Sequence, residues 1–237
     1  MNAQQLSMRL TRVASHVPTG ATVADIGSDH AYLPCYLVSQ GLAERAVAGE
    51  VVKGPYESAK KQVKQEQLED KIEVRLASGL EAIHPEDGIT AITIAGMGGP
   101  LIVSILDQGL EKLAGVSRLI LQPNVNAKAI REWAQTHQWA IVEEEIIKEN
   151  NKIYEILVLE RSSQPVVLTP AQLLMGPVLM KQQTEAFREK WQRESAQWTN
   201  IIASIESTEQ TLEIVDKKNE LVQKIKLVEE VLNGENS

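Results

Sequence analysis

Cysteine is almost missing from the 237-residue sequence, with Cys35 the single one. An intramolecular disulfide is thereby excluded, as is a cluster of thiolate metal ligands. Histidine is scarce too: His16, His30, His84 and His137 stand apart, none with a partner at helical ligand spacing, so no metal site is expected. Long apolar runs are also lacking. No stretch approaches the roughly 20 residues needed to span a bilayer, and the opening MNAQQLSMRL has no apolar core of the kind a secretory leader carries. A cytoplasmic protein with no membrane association is the expectation. Nor is there an excess of positive charge, since 24 Lys and Arg face 32 Asp and Glu for a formal net charge of −8. The segments before and after Ser162 are each acidic on balance, so composition by itself gives no sign of a polyanionic partner. Local basic groups remain, and phosphate is neutralised by a patch rather than by an average. They are Arg9 with Arg12, then Lys53, Lys60, Lys61 and Lys64, then Lys181, Arg188, Lys190 and Arg193. Taken singly, each reads first as a solvated helix face balanced by Glu57, Glu66, Glu185 or Glu189.

What is present is enough for one substantial core and an appendage, at 43% hydrophobic and 24% charged residues. From Thr22 to Glu160, short β-branched apolar runs alternate with amphipathic stretches of helical length, the pattern of an α/β sheet. Strands are expected at 22–26, 45–50, 72–77, 91–95, 118–122, 139–147 and 152–159. Helix-length spacers between the first five imply parallel neighbours joined by right-handed crossovers. The polar turn Glu149-Asn150-Asn151-Lys152 makes the last two an antiparallel hairpin. By fold analogy, a parallel Rossmann-like sheet finished by such a hairpin is the class I methyltransferase architecture. A helix is expected over 3–17, with Leu6, Leu10, Val13 and Val17 on one stripe. After Arg161 the composition changes, which divides the chain into a domain at 1–161 and a helical domain at 162–237. Thr169-Pro170 starts a short helix and Gly176-Pro177 breaks it. A long helix carrying Phe187, Trp191, Trp198, Ile202 and Ile205 follows. A second carries Ile214, Leu221, Ile225, Val228 and Leu232, so an antiparallel coiled-coil-like hairpin is expected, turning around Glu206 to Gln210. It offers a surface either to a substrate or to a second copy in a homo-oligomer.

The chemistry gathers at strand ends. Val23-Ala24-Asp25-Ile26-Gly27-Ser28-Asp29-His30 is a strand entering a short loop, and in open parallel sheets ligands bind beyond the carboxyl ends of the strands. A dinucleotide fold would place G-x-G-x-x-G here to cradle a diphosphate. The second and third glycines are absent, and the two carboxylates, Asp25 and Asp29, repel phosphate but suit a ligand carrying a sulfonium and an ammonium group. Asp29 reads equally as an N-terminal cap for the following helix. Glu50 ends the second strand 25 residues after Asp25, a position from which an acidic side chain receives ribose hydroxyls, with Val51 beside it. Ala77-Ser78-Gly79 after the third strand is placed for an adenine edge. Gly96-Met97-Gly98-Gly99 after the fourth permits close backbone approach to a ligand. The fifth strand leads into Gln122-Pro123-Asn124, and the Asn/Asp-Pro-Pro-aromatic loop of many exocyclic-amine methyltransferases is lacking. A ring nitrogen such as adenine N1 needs orientation more than deprotonation, so its loss is compatible with that acceptor.

These segments, DIGSDHAYLP at 25–34, GEVVKGP at 49–55, ASGL at 77–80, IAGMGG at 94–99 and LQPN at 121–124, together with the helical extension, resemble the bacterial tRNA adenine-22 N1-methyltransferase family over nearly the whole chain. The resemblance implies an S-adenosylmethionine-dependent enzyme that methylates N1 of an adenine in the D-loop region of tRNA. It puts Asp25, Gly27, Glu50, Ser78 and Gly96 at the cofactor-binding turns and Asp29, His30 and Tyr32 near the point of methyl transfer. His30 reads equally as a packing histidine. Arg9, Arg12, Lys181 and Arg188 are then the cations placed to meet tRNA phosphates, with Gln122, Pro123 and Asn124 on the acceptor side. A nucleotide-binding oxidoreductase and a non-enzymatic RNA-binding scaffold are the rival readings.

Overall fold

Alternating apolar runs and amphipathic segments assemble into a seven-stranded sheet in the computed structural model, which describes residues 4–206 and 211–234. The strands are β1 (Ala21–Ile26), β2 (Ala43–Glu50), β3 (Ile72–Leu76), β4 (Ala91–Gly98), β5 (Arg118–Val125), β6 (Trp139–Glu149) and β7 (Lys152–Arg161). Their order across the sheet is β3-β2-β1-β4-β5-β7-β6. β1 pairs in parallel with β2 on one side and β4 on the other, so the crossovers reverse direction between β1 and β4 and leave a crevice at their carboxyl ends. β7 runs antiparallel to both β5 and β6. Its turn has Asn150 and Asn151 at φ +49 and +63, the left-handed pair that a two-residue hairpin requires.

Helices cover both faces. On one, α4 (Gly99–Gln108) and α5 (Ala127–Thr136) lay Ile102, Leu106, Ile130 and Trp133 against Ile92, Ile94, Leu119, Leu121, Leu157 and Leu159. On the other, Val13 of α1 (Met8–Ser15), Leu33 and Leu37 of α2 (Tyr32–Ser39) and Ala59 and Val63 of α3 (Lys53–Gln65) meet Val23, Ala46, Ala48, Ile120 and Ile156. The alternation along each strand sends successive side chains into these two cores. The first helix is shorter than the predicted 3–17. Ser7 caps it, its Oγ accepting from the Leu10 N–H at 3.2 Å, and residues 1–3 lie outside the described part.

The chain divides into two compact units, Met1–Val166 and Val167–Ser237. In the second, Thr169 caps α6 (Pro170–Met175) through a reciprocal capping box with Gln172, and Gly176, at φ +94, ends it. A short α7 (Leu179–Gln182), not anticipated from the sequence, precedes the long α8 (Glu185–Glu206), separated from it by Gln183 at φ +43. α9 (Leu212–Leu232) returns antiparallel to α8: Arg188 reaches the Leu232 carbonyl at one end, and Lys218 pairs with Glu206 at the other. The expected seam is buried at Phe187, Trp191, Leu221 and Val228, while Trp198, Ile202, Ile205 and Ile214 are only partly covered. Most of the turn expected around Glu206 to Gln210 lies outside the described residues. Among the described residues no helix is long and apolar enough to cross a membrane.

Candidate active site

Two buried carboxylates mark the crevice. Asp25, at the end of β1, is 4% exposed and accepts hydrogen bonds from Ser28 Oγ and from Thr93 Oγ1 of β4, each at 2.6 Å. Burial pushes its carboxyl above the ordinary range, and the two hydroxyl donors pull it back. Glu50, at the end of β2, is 6% exposed and accepts the Asp29 N–H. Burial raises it as well, with the Asp29 N–H opposing and the charges of Asp25 and Asp29 adding to the rise.

The loop between β1 and α2 is held from below, with the Gly27 and Ser28 N–H groups both donating to the Gly49 carbonyl, at 2.9 and 3.2 Å. Its backbone turns left-handed at alternate residues: Gly27 at φ +70, Asp29 at +45 and Ala31 at +53. The positive φ is what calls for glycine at position 27; a Cβ there would meet only the terminal methyl of Met97, which can move aside. The expected cap role of Asp29 is corrected here. α2 starts at Tyr32 with Ala31 at its cap position and no side-chain capping bond. The Asp29 side chain is instead 73% exposed and faces His30, with Nε2 of the imidazole 3.5 Å from Oδ1. The His30 ring stacks on Tyr32, centroids 5.3 Å apart, which places all three predicted residues in one cluster at the mouth of the crevice.

At the end of β3 the Ala77 N–H donates to the Glu50 carbonyl at 2.8 Å, and Ser78 and Gly79 turn the chain. Val51, directly after β2, and Leu76, the last residue of β3, are both exposed apolar side chains. Near the end of β4, the Gly96 N–H donates to Gln122 Oε1 at 3.0 Å, and Asn124 Nδ2 donates to the Gly96 carbonyl at 2.6 Å. Gln122 is fully buried, donates from Nε2 to the Pro123 carbonyl at 2.8 Å, and receives the Arg9 guanidinium on Oε1. Its amide thus ties the β4 and β5 turns to α1. Gly99, the first residue of α4, has the Asn126 carbonyl where a Cβ would lie, at 2.0 Å, which locks the same two turns together.

Asp25, Gly27, Glu50, Val51, Ala77, Ser78, Gly79, Gly96, Met97 and Gly98 therefore all sit at the carboxyl ends of β1 to β4, with Gln122, Pro123 and Asn124 at the end of β5. Arg9 reaches this network and Arg12 does not. Arg12 forms a two-point ion pair with Glu145, whose carboxyl is brought down to about 2 against the cost of burial by the adjacent His16 ring, 3.2 Å away, and by hydrogen bonds from Arg12. Lys181 and Arg188 belong to the second unit, where Lys181 is exposed and Arg188 binds Gln183 Oε1 and the Leu232 carbonyl. Two residues of the crevice were not singled out from the sequence. Thr93 was legible as the lone hydroxyl in the apolar run Ala91-Ile92-Thr93-Ile94. Tyr154 becomes visible only once β7 is placed antiparallel beside β5.

A sheet of this order, with carboxylates where a dinucleotide fold has phosphate-binding glycines, defines a class I methyltransferase fold. Within that class the chain belongs to the TrmK family, tRNA (adenine(22)-N(1))-methyltransferase, whose model it matches over residues 23–230. It is 44% identical to the tRNA (adenine(22)-N(1))-methyltransferase of Bacillus subtilis over 98% of this chain and 99% of that protein. A Streptococcus pneumoniae protein solved in complex with S-adenosyl-L-methionine superimposes with a TM-score of 0.87 at 45% identity, covering 96% of this chain and all of that one. TrmK of M. capricolum, solved with S-adenosyl-homocysteine, does so with a TM-score of 0.80 at 28% identity, covering 94% and 99%.

Glu50→Ala is expected to weaken binding of S-adenosylmethionine by about 1–3 kcal/mol, the range for hydrogen bonds to a charged acceptor. The same affinity should fall on acidification earlier than an ordinary carboxylate would dictate. Both Asp25 and Glu50 are held above the usual range, and the protonated form of either loses the charge that attracts an ammonium and an acceptor for hydroxyls. Calorimetric titration of the wild type and the variant between pH 8 and pH 5 checks both; an unchanged affinity in a folded variant contradicts the ribose assignment.

Proposed function

We propose that this protein methylates N1 of adenine 22 in tRNA, using S-adenosylmethionine as methyl donor, and works in the cytoplasm. The observation that carries the reading is the pair of buried carboxylates, Asp25 and Glu50, at the β1/β4 switch point of a chain in the TrmK family. They fit the donor chemically. Asp25 accepts from its ammonium end directly or through water, Glu50 takes the ribose hydroxyls, and the backbone at Ser78 and Gly79 meets the adenine between Val51 and Leu76. The bound donor supplies a methyl group on cationic sulfur. The acceptor N1 presents its own lone pair at neutral pH, so the residues have little proton transfer to perform. Their work is alignment, which contributes roughly 7–11 kcal/mol in favourable systems, and electrostatics matched to positive charge arriving on the base. Asp29 lies where that charge develops and also suits the adenine N6 amine. Because N1 is on the Watson–Crick edge, the adenine must be unpaired or turned out of its stack.

The test is methylation of an unmodified tRNA transcript by the purified protein, read by mass spectrometry and by a reverse-transcription stop at position 22. A product on the wild-type transcript, and none when that adenine is replaced by guanine, supports the reading. Absence of product on every tRNA tried, with cofactor bound, overturns it.

In this reading the second unit grips tRNA phosphates without reading sequence, chiefly through Lys181 and Arg188. Truncation after Val166 is expected to keep cofactor affinity, weaken tRNA binding by at least tenfold and flatten its salt dependence. Titrations at several salt concentrations decide this. An identical affinity and slope would instead assign the hairpin to packing or to a homo-oligomer, which sedimentation of the same samples would reveal.

A further inference from the structure

On the reading above, the turns after β1, β2 and β3 serve chiefly the donor, with Asp29 reaching toward the acceptor, so the acceptor base approaches from the β4/β5 side of the crevice. An adenine taken out of its stack loses its neighbours on both faces, and proteins that hold such bases commonly replace them with an aromatic ring. The described aromatic residues of the first unit leave few candidates. Trp133 and Trp139 are buried in the core under α5. Tyr36 and Tyr56 belong to α2 and α3, on the donor side of β1. His30 and Tyr32 stack on each other in the β1 loop.

Tyr154 is differently placed. In the antiparallel β5/β7 pair, Leu121 faces Leu157. Continuing that register by three residues brings Tyr154 opposite Asn124, at the carboxyl end of β5. It shares a face with Ile156, which packs in the core containing Val13 of α1. Its ring is half-buried and lies under the Arg9 guanidinium, 5.4 Å from centroid to Cζ. Arg9 in turn is anchored on Gln122 Oε1, the same oxygen that takes the Gly96 N–H. The ring is thus tied, through one arginine, to both turns that border the acceptor side. No carboxylate pairs with Arg9 among the described residues, so its charge is not spent within the fold.

We propose that Tyr154, seated by Arg9, is the stacking surface for the extruded adenine; this rests on the tRNA methyltransferase reading above. The Arg9 guanidinium packs on the ring and turns its remaining donors toward the phosphate that flanks the base. Tyr154 acts as a positioning residue: it gives the base a face to lie on while N1 meets the methyl group, and it contributes nothing to donor binding.

Steady-state methylation of tRNA by wild-type protein, Tyr154→Ala and Tyr154→Phe tests this, with cofactor affinity and thermal melting measured on each. A stacked base is worth on the order of ten- to a hundredfold in binding. Tyr154→Ala should therefore raise KM for tRNA or lower kcat/KM by that order with cofactor affinity unchanged, and Tyr154→Phe should stay within about twofold of wild type. A tRNA carrying 2-aminopurine at position 22 supplies a direct readout. Bound to wild type its emission stays quenched by the ring, and bound to Tyr154→Ala it rises. Wild-type kcat/KM in Tyr154→Ala, or an equal loss in Tyr154→Phe, overturns the stacking role. So does a loss of cofactor affinity parallel to the loss of activity. If the wild type itself leaves position 22 unmethylated, the functional reading fails; if the wild type methylates and the alanine variant matches it, only the stacking role fails.

Discussion

Arg131→Leu is expected to destabilise the first unit by about 3–5 kcal/mol, the range for breaking a fully buried ion pair. Arg131 on α5 is completely buried, and its guanidinium binds Glu144 of β6 and Glu155 of β7, 0% and 2% exposed. Burial by itself would lower the arginine, but Glu155 and Glu144 hold it above its ordinary value. Leucine fills much of the volume and leaves two carboxylates facing each other away from water, where an uncompensated charge is costly. Urea unfolding followed by the emission of Trp133 and Trp139 measures the loss. Replacing all three residues by leucine should recover most of it, because the penalty lies in the orphaned charges rather than in the missing attraction. A loss under about 1 kcal/mol in the single variant would mean that the carboxylates find other partners or water.

Asp29→Asn is expected to slow the methyl-transfer step by on the order of a hundred- to a thousandfold, the cost of removing one preorganised charge or donor at a reacting centre. Asparagine is the better substitution because it tolerates the left-handed backbone at φ +45, where alanine adds strain of its own. The carboxylate is exposed and caps no helix, so melting should be nearly unchanged. Single turnover with saturating cofactor and tRNA isolates the step. A near-wild-type rate would remove Asp29 from the chemistry and leave only its backbone N–H, the donor to Glu50, with a function.

Periodicity made the sheet readable. All seven strands appear where alternation and turn residues placed them, including the hairpin closed by Asn150 and Asn151. Strand ends were harder to read. β4 and β5 each run three residues beyond the expected 95 and 122, because glycines and a proline that look like loop still pair with their neighbours. Gln122, read from the sequence as the end of the fifth strand, is fully buried there, its amide joined to Gly96 and Arg9. The Asp29 cap failed for a conformational reason: two non-glycine residues, Asp29 and Ala31, adopt positive φ, which no residue pattern announces. Arg131 was equally hidden. An arginine on an amphipathic helix reads as surface, and its partners lie 13 and 24 residues away on strands whose pairing only the fold supplies. The residues proposed for the donor were legible as a group because they are strand-end residues fixed by local order. The meeting of Arg9, Gln122 and Tyr154 was less so, because α1, β5 and β7 come to it from opposite ends of the first unit.

The contact between Gly99 and the Asn126 carbonyl bears on how such an enzyme changes its target. Where a Cβ would stand 2.0 Å from a backbone oxygen, no side chain can be introduced without separating two strands' turns. Evolution and engineering alike are therefore shut out of that position on the wall of the crevice. If the adenine enters as proposed, altered specificity has to come from the movable parts around it, the side chains of Arg9, Asn124 and Tyr154, while the backbone behind them stays fixed.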